Sequence, residues 1–131
     1  MQRISHWVNN KVVAGTSGNT GKVYNPATGE QQSEVDLASI AEVDAVIAAA
    51  KKAGLEWRSS NLSRRAEIMF RFRELVVANK NELANVLSLE HGKVPSDAMG
   101  EISRGIENVE FACGIPALLK GGYSEQASSG V

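Results

Sequence analysis

Gly100-Glu101-Ile102-Ser103-Arg104-Gly105-Ile106-Glu107-Asn108-Val109-Glu110-Phe111-Ala112-Cys113-Gly114-Ile115-Pro116 is the stretch on which the fold turns. Ile102, Ile106, Val109 and Cys113, with Ala98 a turn earlier, recur at three- and four-residue intervals and make one apolar stripe of an α-helix. Pro95 suits the first turn, where its missing N–H would have no partner in any case, so the helix is predicted from Pro95 to about Cys113. Phe111 lies off the stripe: seven residues after Arg104, it shares a face with the arginine. Gly100 and Gly105 sit inside the helix at a cost of about 1 kcal/mol each against Ala, which suggests close approach of another backbone or a ligand. Apolar demands on two sides need two partners, so the second face is expected to meet material outside the chain, whether a sheet or a partner subunit.

Toward the N-terminus the helical pattern continues. Ser39 and Glu42 form a capping box, and Val43, Val46, Ile47 and Ala50 follow at helical spacing, predicting a helix to about Gly54. After Trp57, the polar cluster 58–63 opens a second helix with Ile68, Met69, Phe72, Leu75 and Val76 inward and Arg64, Arg71 and Glu74 outward. Asn79 with Glu82 repeats the capping signature, so a break and restart is expected, burying Leu83, Val86 and Leu87 before Gly92. The front end reads as β: a strand stretch from His6 to Val13 broken at Asn9-Asn10, the loop Gly15 to Gly21, a run Lys22-Val23-Tyr24, a turn at Asn25 to Glu30, and a short strand from Gln32 to Leu37. At the far end a short apolar turn, Ala117-Leu118-Leu119, precedes Gly121-Gly122. No strand–glycine-rich turn–helix unit and no run of buried parallel strands stands out.

With 43% hydrophobic and 22% charged residues among 131, the chain is a globular protein and not a disordered one. Fourteen basic residues are scattered among fifteen acidic ones, which disfavours nucleic acid as a partner. A lone cysteine excludes an internal disulfide and matches a reducing compartment, the cytoplasm by default. Neither a secretory leader nor a membrane span is expected.

Four features invite a chemical reading. Gly15-Thr16-Ser17-Gly18-Asn19-Thr20-Gly21-Lys22 resembles a phosphate loop in composition, but Thr16 stands at the first glycine position and Val23 where a magnesium-binding hydroxyl belongs, so a plain loop between strands is preferred. Cys113 lies near a helix C-terminus on the apolar stripe, a setting for an inert core thiol. His6 and His91 have no companions at metal spacing, and no metal site is expected. Asp97, Glu101, Arg104, Glu107 and Glu110 recur along one helix as a solvated charged row. Arg104 is singled out within it: between two glycines and beside Phe111, its guanidinium either closes a surface salt bridge or grips a substrate carboxylate with two parallel hydrogen bonds.

Tyr24-Asn25-Pro26-Ala27-Thr28-Gly29-Glu30 resembles the front-end turn of the aldehyde dehydrogenase superfamily. Arg64-Arg65-Ala66, Phe70-Arg71-Phe72, Glu90-His91-Gly92-Lys93 and the long motif from Gly100 to Pro116 look like its methylmalonate-semialdehyde dehydrogenase branch. That resemblance implies an α/β fold and an enzyme that uses NAD and coenzyme A to turn malonate or methylmalonate semialdehyde into acetyl-CoA or propionyl-CoA with loss of carbon dioxide. It also implies a catalytic cysteine, an oxyanion-holding Asn and nicotinamide-binding glycines beyond Val131, so no catalytic or cofactor-binding residue is expected here, and Cys113 does not match the nucleophile. In that branch an Arg matching Arg104 contacts the substrate carboxylate, with a second arginine downstream. The resulting expectation is an incomplete N-terminal segment: a β arm over 1–37, a helical part of the cofactor domain over 38–121, and the start of a strand or an extended tail over 122–131. Alone it should be inactive and prone to self-association, with the remainder of the enzyme and a homo-oligomer as partners. The rivals are a stand-alone helical binding or regulatory module and a segment of an aldehyde dehydrogenase with another substrate.

Overall fold

The computed structural model describes residues 2–122. Five short strands come first: β1 (Gln2–Ile4), β2 (His6–Val8), β3 (Lys11–Val13), β4 (Thr20–Tyr24) and β5 (Gln31–Asp36). Helices follow: α1 (Ile40–Ser59), α2 (Leu62–Ala78), α3 (Lys80–His91), α4 (Pro95–Cys113) and the single turn α5 (Ile115–Leu118). β5 is the middle strand of a three-stranded sheet, parallel to β1 and antiparallel to β4.

The stretch from His6 to Val13 is a hairpin of two strands where one broken strand was expected. Asn9 and Asn10 both take positive φ, 51° and 62°, a conformation asparagine tolerates, and together they reverse the chain in two residues. β1 carries no sequence signal, being three exposed residues; it is placed by its parallel pairing with β5 and by Arg3, whose Nε donates to Asp36 Oδ1 at 2.6 Å. The Asn25 turn forms as expected: Gly29 N–H donates to Asn25 O at 2.7 Å, and Gly29 takes φ 74°.

The Ser39–Glu42 capping box is present, but α1 runs through Gly54 to Ser59. One interior glycine costs about 1 kcal/mol, too little to end a helix whose next turn is closed by Ser60 bonding Trp57 O through both its N–H and its hydroxyl. The expected cap at Asn79 fails: its side-chain amide donates back to Leu75 O at 2.8 Å, finishing α2 and leaving α3 without a side-chain cap. Gly92, at φ 79°, does end α3.

Helix α4 is the axis of the helical part, with α2 and α3 both packed on it. Its predicted stripe is the packed one: Ala98 is 0% exposed, Ile106 and Cys113 are buried, and Ile102 and Val109 are half-buried. The faces of α2 and α3 differ from expectation. Alanines Ala66 and Ala84 meet α4, flanked by half-buried Met69, Val76 and Leu87, while Ile68, Phe72, Leu75, Leu83 and Val86 are exposed. Small side chains let helix axes approach closely, so the contact ridge follows the alanines and the larger residues look outward. A side chain added at Gly100 or Gly105 would meet nothing among the described residues, so the close approach expected there is not found within them. The expected tail or strand over 122–131 lies, apart from Gly122, outside the described residues. Among the described residues no helix is long and apolar enough to cross a membrane.

Candidate functional site

A groove of about 320 Å³ runs along the N-terminal half of α4, lined by Lys93, Ser96, Asp97, Gly100, Glu101 and Arg104. Its floor exists because of the α3–α4 junction. Gly92 turns the chain through the left-handed region and sits so close to Pro26 that an added Cβ would lie 2.9 Å from the proline ring. Val94 is extended before Pro95 opens α4, and Lys93 is thereby laid back along the new helix. The Lys93 ammonium forms an ion pair with Glu101, its side chain 14% exposed against 46% for the glutamate. The hydrogen bond from Lys93 is the main cause that holds the Glu101 carboxyl below its ordinary range, against burial, with smaller help from the charges of Lys93, His91 and Arg104.

Two acids of the charged row on α4 are paired with residues outside the helix. Arg73 of α2 donates to Glu110 Oε1 through Nε at 2.8 Å and Nη2 at 2.7 Å, and Lys93 takes Glu101. Arg104 has no side-chain hydrogen bond or ion pair among the described residues; only its carbonyl is engaged, accepting from Asn108 Nδ2 at 2.9 Å. The surface salt bridge open to Arg104 is thus not formed among the described residues. Phe111, on the same face, is 71% exposed. Neither Lys93 nor Arg73 could be picked from local pattern, since each acts on a residue in a different helical segment.

The glycine-rich loop is filled by the chain's own carboxylates. Gly15 N–H donates to Asp36 Oδ2 at 2.8 Å and Thr16 N–H to Glu42 Oε1 at 2.7 Å, and the Ser17 hydroxyl donates to Leu37 O. The Gly15 hydrogen bond is the largest influence on Asp36, holding its carboxyl low despite burial, with Arg3 and Ser5 adding to it. Glu42 is lowered to about 2 by backbone N–H groups of Ser39 and Thr16, assisted by their hydroxyls. Cys113 is buried on the α4 stripe, as expected of a structural thiol. His91 is exposed at the end of α3 and His6 is half-buried on β2, and among the described residues no group of metal-binding side chains occurs.

The aldehyde dehydrogenase family model matches residues 12–130. The chain belongs to the aldehyde dehydrogenase family. Within the family it is 50% identical over 118 residues to malonate-semialdehyde dehydrogenase 3 of Geobacillus kaustophilus, covering 90% of this chain and 24% of that enzyme. It is 46% identical over 128 residues to malonate-semialdehyde dehydrogenase 2 of Geobacillus thermodenitrificans, covering 98% and 26%. Among solved structures, it is similar to the methylmalonate-semialdehyde dehydrogenase of Oceanimonas doudoroffii with a TM-score of 0.89 and 44% identity, over 98% of this chain and 26% of the other. A protein from Sinorhizobium meliloti assigned the same activity and complexed with NAD gives 0.89 and 46%, over 99% and 26%. This aldehyde dehydrogenase chain thus spans about a quarter of the length of those relatives. The glycine-rich loop and the start of α1 do not fit a dinucleotide. The N–H groups of Gly15 and Thr16 are given to Asp36 and Glu42 and that of Asn19 to Ser17 Oγ, the start of α1 is closed by the Ser39–Glu42 capping box, and the β5–α1 junction has no glycine.

Proposed function

We propose that this chain is the amino-terminal segment of an NAD-dependent, CoA-acylating dehydrogenase of malonate or methylmalonate semialdehyde, forming acetyl-CoA or propionyl-CoA, and that Arg104 receives the substrate carboxylate. The supporting observation is Arg104 itself, exposed on the groove with its guanidinium uncommitted among the described residues while its acidic neighbour Glu101 is held by Lys93. Two parallel N–H donors match a carboxylate and fix its plane. In malonate semialdehyde a single methylene separates carboxylate from aldehyde, so a grip on one end also restricts the other. NAD supplies the hydride acceptor in such an enzyme, and coenzyme A the thiol that takes the acyl group. Both, like the cysteine that would attack the aldehyde, belong to the remaining three quarters, which leaves this segment inactive by itself in a cytoplasmic, homo-oligomeric enzyme.

The test reads the coding frame past Val131 and expresses the whole product. NADH and acyl-CoA should form together from malonate semialdehyde. Arg104→Ala should raise KM for that substrate about tenfold or more, the size of a lost charged hydrogen bond, and leave propanal unaffected. Equal effects on both aldehydes would refute the assignment of Arg104.

A further inference from the structure

We infer that Lys93 is a positioning residue that keeps Arg104 available to an anionic ligand by occupying Glu101. The inference deepens the carboxylate reading of Arg104 and rests on it. Glu101 precedes Arg104 by three residues, the spacing and polarity at which a glutamate and an arginine on one helix face ordinarily pair. In this structure they do not: the Glu101 carboxylate is taken by Lys93, which reaches it from outside the helix. The acids of the groove are Asp97 and Glu101, its cations Lys93 and Arg104, so its formal charge is balanced. Removing the ammonium leaves two carboxylates and one guanidinium, with Glu101 free to turn to Arg104. A substrate carboxylate would then compete with an internal one.

Lys93 is suited to this task by its backbone. It follows a left-handed glycine wedged against Pro26, and the stem of its side chain is largely covered, so the ammonium has few other places to go. The turn at Asn25 to Glu30 is thereby linked to the groove through Gly92, although the two are more than sixty residues apart in sequence.

Two measurements test this. On the chain as it stands, the rate of Arg104 modification by phenylglyoxal, read by peptide mass spectrometry, should fall about threefold or more in Lys93→Gln and return in Lys93→Gln with Glu101→Gln. In the complete enzyme, Lys93→Gln should raise KM for malonate semialdehyde about three- to tenfold with kcat little changed, and the double variant should restore KM, as should Lys93→Arg. A double variant as impaired as Lys93→Gln would mean that Lys93 touches the substrate itself, and the inference falls. Equal loss on propanal, or loss of the folded circular dichroism spectrum, in both single and double variants would mean a structural role only and also overturns it. Arg104→Ala is run alongside. If that change lowers discrimination while Lys93→Gln does not, the positioning role fails and the carboxylate reading survives; if Arg104→Ala leaves discrimination intact, both fail.

Discussion

Helices α1 and α4 have nearly the same length, 20 and 19 residues, and each is announced by a clear start signal, yet they have opposite fates in the tertiary structure. α4 buries Ala98, Ile106 and Cys113 and carries α2 and α3 on its flanks. α1 buries no residue, and Val43, Val46 and Ile47, the stripe that marks it as a helix, stay exposed. What ties α1 down sits at its two ends: the Ser39 cap and the bond from Thr16 to Glu42 at one, and at the other Arg65 of α2, which donates to Arg58 O at 2.6 Å and lies over the Trp57 ring. A capped amphipathic pattern thus specifies a helix without supplying its partner, and most of the stability of a helix comes from the partner.

That contrast sets the order of expected effects. Ile106→Ala, in the packed axis, should cost about 2–4 kcal/mol in urea unfolding followed by circular dichroism. A loss below half a kcal/mol would mean that α4 is not the core. Gly92→Ala forces a side chain into the left-handed region and against Pro26, and should cost about 1–2 kcal/mol by the same measurement. Glu42→Gln acts on the other region and through pH. The folded-state pKa of Glu42 is lowered to about 2 from 4.5, so its contribution is full above pH 4.5 and is lost as pH falls through about 2. The variant should therefore be less stable at neutral pH and show a flatter stability profile between pH 4.5 and 2, with Trp7 and Trp57 fluorescence as the probe. An unchanged acid limb would show that the Thr16 and Ser39 bonds to Glu42 do not persist in solution. Smallest is Ile47→Ala on the open face of α1, expected within about 0.5 kcal/mol of wild type. The same substitution should reduce self-association in sedimentation velocity, because it removes exposed apolar area that a second copy could cover. A cost of several kcal/mol at Ile47 would erase the difference between the two helices.

Of the candidate site, only Arg104 is marked in the sequence. It is marked by its position between glycines and its shared face with Phe111, whereas the groove it lines is formed with Lys93 and is visible only in the structure. The α4 stripe was likewise readable to the residue, since one helix with one dominant contact face obeys the 3.6-residue period directly. The inward faces of α2 and α3 are only partly legible: Met69, Val76 and Leu87 of the expected faces are half-buried, but the most buried residues of these helices are Ala66 and Ala84. Lys93 escaped notice because its partner lies eight residues on, across a turn whose shape depends on Gly92 meeting Pro26.

The capped starts of α1 and α2, the asparagine reversal, the Asn25 turn and the α4 stripe were determined by the sequence itself, because each rests on bonds or spacings that close within a few residues. Tertiary structure alone decided which faces of α2 and α3 are covered, that Asp36 and Glu42 fill the glycine-rich loop, and that Glu101 is given to Lys93 and not to Arg104. Those choices depend on distances between elements, and no local pattern of residues encodes the distance at which two helices or a loop and a helix come to rest.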